Sequence, residues 1–387
     1  MSYAHHREKW MNQYPAIQDL ARRAQQRIPF VSWEYLESGT SEETLVDKNR
    51  EALHRITFKP QFCKGILTPR VETELFGQAY AAPFGIAPIG LTGLMWPRVE
   101  CYLAAAAQAY RIPYTLSTVA TETPETVGPI AGDMGWFQLY PPKDMDVCKS
   151  LLTRAWEAGF RTVLVTADVP MASRRERTKR AGLQMPPKIS ADLVWQALTH
   201  PRWTAATLSR GLPSLRTIEA YVNYKNMKFV SGYAGNRLGG TLDWDYCQFV
   251  KEHWPGTVVL KGVLHPRDAE KAVEVGLDGV QVSNHGGRQF DGASAAIDAL
   301  PAIVAAVGNK TSIIFDSGLR TGLDIVRALA LGADFVMLGR AFVYGVAALG
   351  QYGGHHAIEI LLDDLQNNMV QLGVDTVAEI RELEADY

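Results

Sequence analysis

The chain has 387 residues, is 47% hydrophobic and carries a formal net charge of −2. This is an ordinary soluble composition with room for one large domain or two medium ones, and its near-neutral balance gives no support to nucleic-acid binding by the chain as a whole. Cys63, Cys101, Cys148 and Cys247 are scattered without a CxxC, so reduced thiols in a cytoplasmic protein are expected, with neither a disulfide framework nor a metal site.

In chain order, the polar opening MSYAHHREKW leads into no apolar run and does not read as a secretory signal. A helix is predicted from about Ser41, with Thr40 and Glu43 as a capping box. The uncharged stretch YAAPFGIAPIGLTGLMW, residues 80–96, contains Pro83, Pro88, Gly85, Gly90 and Gly93. Those residues break a membrane helix, so a buried strand and loop are predicted there. Apolar runs rich in β-branched residues follow: FGIAP (84–88), PYTLS (113–117), WFQLY (136–140), TVLVTAD (162–168), VVLKG (258–262), GVQVSN (279–284), SIIFDSG (312–318) and FVMLGR (335–340). Helical patterns separate most of them, at VECYLAAAAQAY, MDVCKSLLTRAWEAG, PRDAEKAVEVG and GLDIVRALALGAD.

Continuous apolar strands alternating with helices predict a parallel sheet covered on both faces. Eight such units predict an α/β fold, a closed (β/α)8 TIM barrel. An open doubly wound sheet is the rival, and the chain lacks the GxGxxG fingerprint of its dinucleotide-binding form. The chain then divides into an N-terminal extension (1–80), barrel segments (81–168 and 241–350), an insertion after strand four (169–240) and C-terminal helices (351–387). From 171 to 240 the insertion carries twelve Lys and Arg against three acidic residues, a net +9 that leaves −11 elsewhere. It also carries Trp195, Trp203, Tyr221 and Tyr224. Loops of this size are functional or mobile.

In a (β/α)8 barrel the working residues sit at the C-terminal ends of the strands. Those ends supply Gln138 and Tyr140, Thr166 and Asp168, Lys261, His285 and Arg288, Asp316, Gly318 and Arg320, and finally Gly339 and Arg340. A single such residue reads equally well as a solvated loop position; the set on one face does not. DSGLRTG and LGRA join exposed glycine N–H groups to arginines, which suits a phosphate. In SNHGGRQFDG, residues 283–292, Arg288 offers a planar fork to a carboxylate and His285 can take a proton. Asp168 can orient that histidine, and Lys261 can put positive charge where negative charge develops.

These residues resemble the FMN-dependent 2-hydroxy-acid dehydrogenases and oxidases, a family that includes glycolate oxidase, mandelate dehydrogenase and the bacterial L-lactate dehydrogenases. SNHGGRQFDG is similar to the family's active-site motif. YLESG (35–39), IAP (86–88), LST (116–118), FQLY (137–140), LKGV (260–263), 168–175, 316–320 and 339–340 follow in the family's order. ALTHPRW (197–203) and LSTVA (116–120) look most like the bacterial L-lactate dehydrogenases. The resemblance implies a (β/α)8 barrel with FMN as cofactor, oxidising an (S)-2-hydroxy acid. It implies His285 as the base, Asp168 as its partner, and Arg288, Arg175 and Tyr35 at the substrate carboxylate, with Tyr140 at the hydroxyl. Lys261 would lie by the flavin N1 edge. Ala87, Pro88, Ile89, Ser117, Gln138 and Thr166 would line the isoalloxazine, and Asp316, Gly318, Arg320, Gly339 and Arg340 would hold the ribityl phosphate. Val119, Ile89 and Gly90 depart from a tryptophan, threonine and alanine frequent in the oxidases, which makes glycolate a poorer fit.

The electron acceptor stays open between a quinone and oxygen; with oxygen the chain would be a hydrogen-peroxide-producing oxidase. The basic insertion could lie on an anionic membrane surface at the cytoplasmic face or close over the substrate as a lid. A type 2 isopentenyl diphosphate isomerase and a non-catalytic flavin-binding protein are the alternatives, and neither needs the full set of His285, Asp168, Arg288 and Tyr35. The resemblance also implies a homo-oligomer, often a tetramer.

Overall fold

The structure, a computed structural model, describes residues 3–183, 190–221, 238 and 242–387. The eight apolar runs form eight parallel strands: β1 (Phe84–Ile86), β2 (Tyr114–Ser117), β3 (Gly135–Leu139), β4 (Thr162–Thr166), β5 (Thr257–Val263), β6 (Gly279–Val282), β7 (Ser312–Asp316) and β8 (Phe335–Leu338). They pair in chain order, and β8 pairs with β1 to close the barrel. The rival open sheet is thereby ruled out. Helices Val99–Tyr110, Met145–Glu157, Pro266–Glu274 and Gly322–Ala330 lie where the sequence patterns predict them.

Strand alternation explains how the barrel interior is divided. Side chains two apart share a face. On the inward face, Trp136, Leu164, Val259 and Ile314 belong to one buried apolar cluster near the N-terminal ends of the strands. Two residues further along the same strands stand Gln138, Thr166, Lys261 and Asp316, all buried and polar. The barrel is thus dry at one end and polar at the other. A hairpin in the N-terminal extension, Thr73–Leu75 with Gln78–Tyr80, closes the dry end. Leu75 and Tyr80 join the apolar cluster, and the Tyr80 hydroxyl accepts from Trp136 Nε1 at 3.2 Å. A Cβ on Gly279 would lie 2.8 Å from Phe76 at the hairpin tip, so a glycine there admits the ring.

The predicted capping box at Thr40 and Glu43 does not form. The helix runs Thr44–Arg55, and Glu43 precedes it in a left-handed conformation without capping it. The Glu43 carboxylate is drawn away by Gly39 N–H at 3.1 Å and Arg177 at 3.2 Å. Asp291 does the capping instead, accepting from Leu45 N–H at 2.8 Å and the Thr44 hydroxyl at 3.1 Å. A residue of the SNHGGRQFDG stretch therefore fixes the N-terminal extension.

The insertion between β4 and β5 contains helices Glu176–Arg180, Ala191–Thr199, Pro201–Leu208 and Arg216–Glu219. Lys188, Tyr224, Lys225, Lys228 and Arg237 lie outside the described residues. Several of the insertion's charges are paired: Arg177 with Glu34 and Glu43, Arg174 with Glu176, and Arg216 with Glu122. Trp203 is buried, donating to the Leu94 carbonyl at 3.1 Å, and Tyr221 bonds Ser150 at 2.9 Å. Trp195, by contrast, is 65% exposed.

Arg340 opens the helix Arg340–Leu349, which packs on the C-terminal helix Gly353–Leu372. At their contact a Cβ on Gly353 would run into the Gly345 carbonyl. Gly353→Ala is therefore expected to lower stability by about 1–3 kcal/mol through overpacking. Urea unfolding checks this; an unchanged midpoint would show that the helices can part freely.

Candidate active site

The polar end of the barrel is organised around a buried ion pair. Lys261 Nζ lies 3.0 Å from Asp316 Oδ2 and donates to the Ser283 hydroxyl at 2.8 Å. Gln281 Nε2 donates to the same Asp316 oxygen at 2.5 Å. Burial alone would push the Lys261 ammonium down, but Asp316 and Asp168 outweigh it and hold it above its ordinary value. Beside it, Ser117 donates to Gln138 Oε1 at 2.9 Å, and Gln138 Nε2 donates to Thr166 Oγ1 at 2.8 Å.

Beyond β6 the chain turns sharply. His285, Gly286 and Gly287 have φ of 59°, 64° and 76°. Glycine adopts such values freely; His285 does so at a cost of about 1–3 kcal/mol, as does Ser317 at 93°. The Asn284 side chain steadies the turn, exchanging two hydrogen bonds with Asn49 of the N-terminal extension at 2.9 and 2.7 Å. His285 Nδ1 lies 2.9 Å from Asp168 Oδ1, and Nε2 lies 3.2 Å from the Tyr140 hydroxyl. Gly262, at φ 104°, leaves room for this pair, since a Cβ there would lie 2.6 Å from Asp168. Burial would raise Asp168, but His285 and then Lys261 outweigh it and hold the carboxyl below its ordinary value. Burial keeps the Tyr140 phenol protonated.

Arg288 points into the same space. It donates to the carbonyls of Tyr35 at 3.0 Å, Leu36 at 3.2 Å and Ser38 at 2.7 Å, and lies over the Tyr35 ring. Burial first, then the neighbouring Arg175 and Arg340 cations, push its guanidinium down to about 9. A guanidinium so placed is short of negative charge, and an arriving carboxylate would supply it. Arg340 is placed similarly, donating to the carbonyls of Leu36, Ser38 and Gly286 at 2.9, 3.0 and 3.3 Å.

Most of these groups open on one cleft of about 970 Å³, open solvent included. Of the residues singled out from sequence, Tyr35, Ala87, Pro88, Ile89, Gln138, Tyr140, Thr166, Arg175, Lys261, His285, Arg288, Asp316, Gly318, Arg320, Gly339 and Arg340 line it. Ser117 and Asp168 stand one layer behind, holding Gln138 and His285. The Tyr35 hydroxyl donates to the Gly90 carbonyl at 3.1 Å. Sequence reasoning missed Ser283, Ser317, Gly262 and Asn49. The first three adjoin singled-out residues, but nothing local marks Asn49. Gly90 and Val119 also line the cleft and are coupled, since a Cβ on Gly90 would fall 2.5 Å from Val119 Cγ2.

Comparison with known proteins decides the family. The FMN-dependent dehydrogenase family model matches residues 24–385. The chain belongs to the FMN-dependent dehydrogenase family. It is 39% identical over 367 residues to an L-lactate dehydrogenase of Pseudomonas aeruginosa strain LESB58, covering 94% of this chain and 96% of that one. An L-lactate dehydrogenase of Xanthomonas euvesicatoria pv. vesicatoria strain 85-10 is equally similar at 39%, with 94% of each chain covered. Among solved structures, the monotopic membrane protein (S)-mandelate dehydrogenase superposes with a TM-score of 0.91 at 31% identity, covering 96% of this chain and 99% of that one. A mandelate oxidase superposes at 0.82 and 30%, covering 96% and 98%. The isomerase and non-catalytic alternatives are not favoured by this membership.

The cofactor of this FMN-dependent dehydrogenase fits the cleft. Arg340 is a buried cation among carbonyls, Arg320 lies beside it, Gly339 stands at the start of the helix Arg340–Leu349, and Gly318 lines the same cleft. That donor set suits a phosphate. Lys261, Gln138 and Thr166 supply the polar edge that a flavin ring needs.

Because Asp168 is depressed, its contribution to stability is complete above the unfolded carboxyl value, about 3.9, and is lost as pH falls through the lower folded value. The stability difference between the wild type and Asp168→Asn should therefore be present at neutral pH and shrink below about pH 4. Thermal unfolding across pH measures it; a difference independent of pH would remove the His285–Asp168 pairing as its source.

Proposed function

We propose that this FMN-dependent dehydrogenase oxidises an (S)-2-hydroxy acid to the 2-oxo acid, with L-lactate or a larger acid as substrate. The observation that carries the reading is Arg288, a buried cation lacking negative charge, opening on the same cleft as the His285–Asp168 pair. Arg288 and Arg175 receive the substrate carboxylate, with Tyr35 at its side. His285 takes the substrate proton at Nε2, the nitrogen that faces Tyr140. Asp168 at Nδ1 fixes the tautomer and stabilises the resulting imidazolium. Tyr140, protonated, orients the substrate hydroxyl. FMN, when bound, would take up the two electrons together with the remaining substrate hydrogen. Lys261 holds a positive charge beside that acceptor, and Ala87, Pro88 and Ile89 form one wall. The small residue at Gly90 and the aliphatic Val119 suit a side chain the size of lactate's or larger.

His285→Gln tests the assignment. Mixed anaerobically with lactate or mandelate, the wild type should bleach, whereas the variant should load FMN, stay yellow and lose about a hundredfold or more in reduction rate. Undiminished bleaching would remove His285 from this role. Admitting a quinone or oxygen to the bleached wild type identifies the acceptor, and a quinone is expected.

The insertion supports delivery to a membrane-borne quinone. Trp195 and Leu198 on the helix Ala191–Thr199, with Leu208 at the end of the next helix, are 65, 70 and 71% exposed, beside the exposed Arg202 and Arg210. Among the described residues no helix is long and apolar enough to cross a membrane. Exposed apolar side chains on two consecutive helices, together with exposed arginines, suit shallow contact with anionic lipid. Sedimentation with anionic liposomes should show binding at low salt that Trp195→Glu with Leu198→Glu abolishes. Absence of binding in the wild type would sink the idea.

A further inference from the structure

Three consecutive backbone N–H groups of the turn that carries His285 end on two serine hydroxyls. Asn284 and Gly286 donate to Ser317 Oγ at 3.2 and 3.1 Å, and His285 donates to Ser283 Oγ at 3.1 Å. Ser317 in turn donates its own proton to Asp316 Oδ1 at 2.8 Å. Its hydroxyl thus uses its one donor and both acceptor sites. Ser283 is fastened from the other side by Lys261. The Lys261–Asp316 pair is therefore tied to the His285 turn through both serines.

Ser317 reaches this position from a backbone conformation that disfavours it. Its φ of 93° lies where glycine is at ease and a side chain is strained. A glycine would satisfy the turn after β7 better. A strained residue persists when its surroundings over-determine it, and here the surroundings are three hydrogen bonds, two from the turn around His285 and one to Asp316.

We propose that Ser317 is a positioning residue for His285: its hydroxyl holds the Asn284 and Gly286 N–H groups on either side of His285 in the turn and couples that turn to the Lys261–Asp316 pair. The proposal rests on His285 being the base. The hydrogen bonds themselves can be tested without that assumption.

Strain makes the test selective. Ser317→Gly removes the hydroxyl and relieves the backbone, so thermal stability should stay at or near the wild-type value. Amide hydrogen exchange at Asn284 and Gly286 should nevertheless quicken by about tenfold or more, in both FMN-free and FMN-loaded protein, because those two N–H groups lose their acceptor. The kcat for hydroxy-acid oxidation should fall by about ten- to a hundredfold, with KM within about twofold, since Arg288 is untouched while His285 loses its aim. Ser317→Ala keeps the strain without the hydroxyl, so it should match the glycine variant in exchange and kcat but unfold at a lower temperature. Wild-type exchange and kcat in Ser317→Gly would overturn the proposal, as would a loss of kcat that appears only with lost thermal stability. Faster exchange with wild-type kcat would overturn the link to His285, whereas failure of His285→Gln to slow bleaching would overturn the functional reading alone.

Discussion

The structure depends on a charge pair almost wholly shielded from water. Lys261 and Asp316 face each other at 3.0 Å in the barrel mouth, with side chains only 5 and 9% exposed. Desolvating two such charges costs several kcal/mol each, to order of magnitude, and is offset only where further hydrogen bonds are made. Gln281 and Ser317 donate to the Asp316 carboxylate, and Ser283 accepts from Lys261. The two serines then have acceptor capacity left for the turn after β6, so the arrangement that makes the ion pair tolerable also aims His285.

The barrel separates two environments along the same strands. Trp136 and Gln138, Leu164 and Thr166, Val259 and Lys261, Ile314 and Asp316 are pairs two residues apart on the inward face. The first of each belongs to a dry plug and the second to a polar mouth. The plug needs a lid, and the hairpin 73–80 supplies it from outside the repeat. The mouth needs orientation, and the N-terminal extension supplies that as well. Its carbonyls at Tyr35, Leu36 and Ser38 receive Arg288, its Asn49 holds Asn284, and its helix start is capped by Asp291. The extension is part of the site and not an appendage to it.

The cleft holds positive charge in excess. Arg175, Arg288, Arg320 and Arg340 line one space, and Arg288 and Arg340 are both depressed by burial and by other arginines. Such an arrangement is stable in proportion to the anions it receives. A cofactor phosphate and a substrate carboxylate are the two anions that the proposed reaction brings.

Much of this was legible in the chain. The eight strands were, because each is a short apolar run ended by turn residues, and the closed barrel followed from their number. The cleft residues were, because chemistry on such a barrel concentrates at strand ends. The cap at residues 40–44 was misread, because Glu43 has the right spacing for a capping box but a stronger partner in Arg177, 134 residues away. Trp203 and Trp195 look alike in sequence, and only packing buries one against the Leu94 carbonyl.

By itself the sequence determined the strand count, the family and the chemical types brought to the mouth, since these depend on local periodicity and on residues adjacent along the chain. Only the tertiary structure decided that Asn49 braces the His285 turn across 235 residues, that Asp291 caps a helix 246 residues earlier, and that Ser317 accepts its strain to reach the loop beside it. Those contacts join segments with no shared local pattern. They exist because closing the barrel brings the ends of its strands to one side, where buried donors and acceptors must find one another.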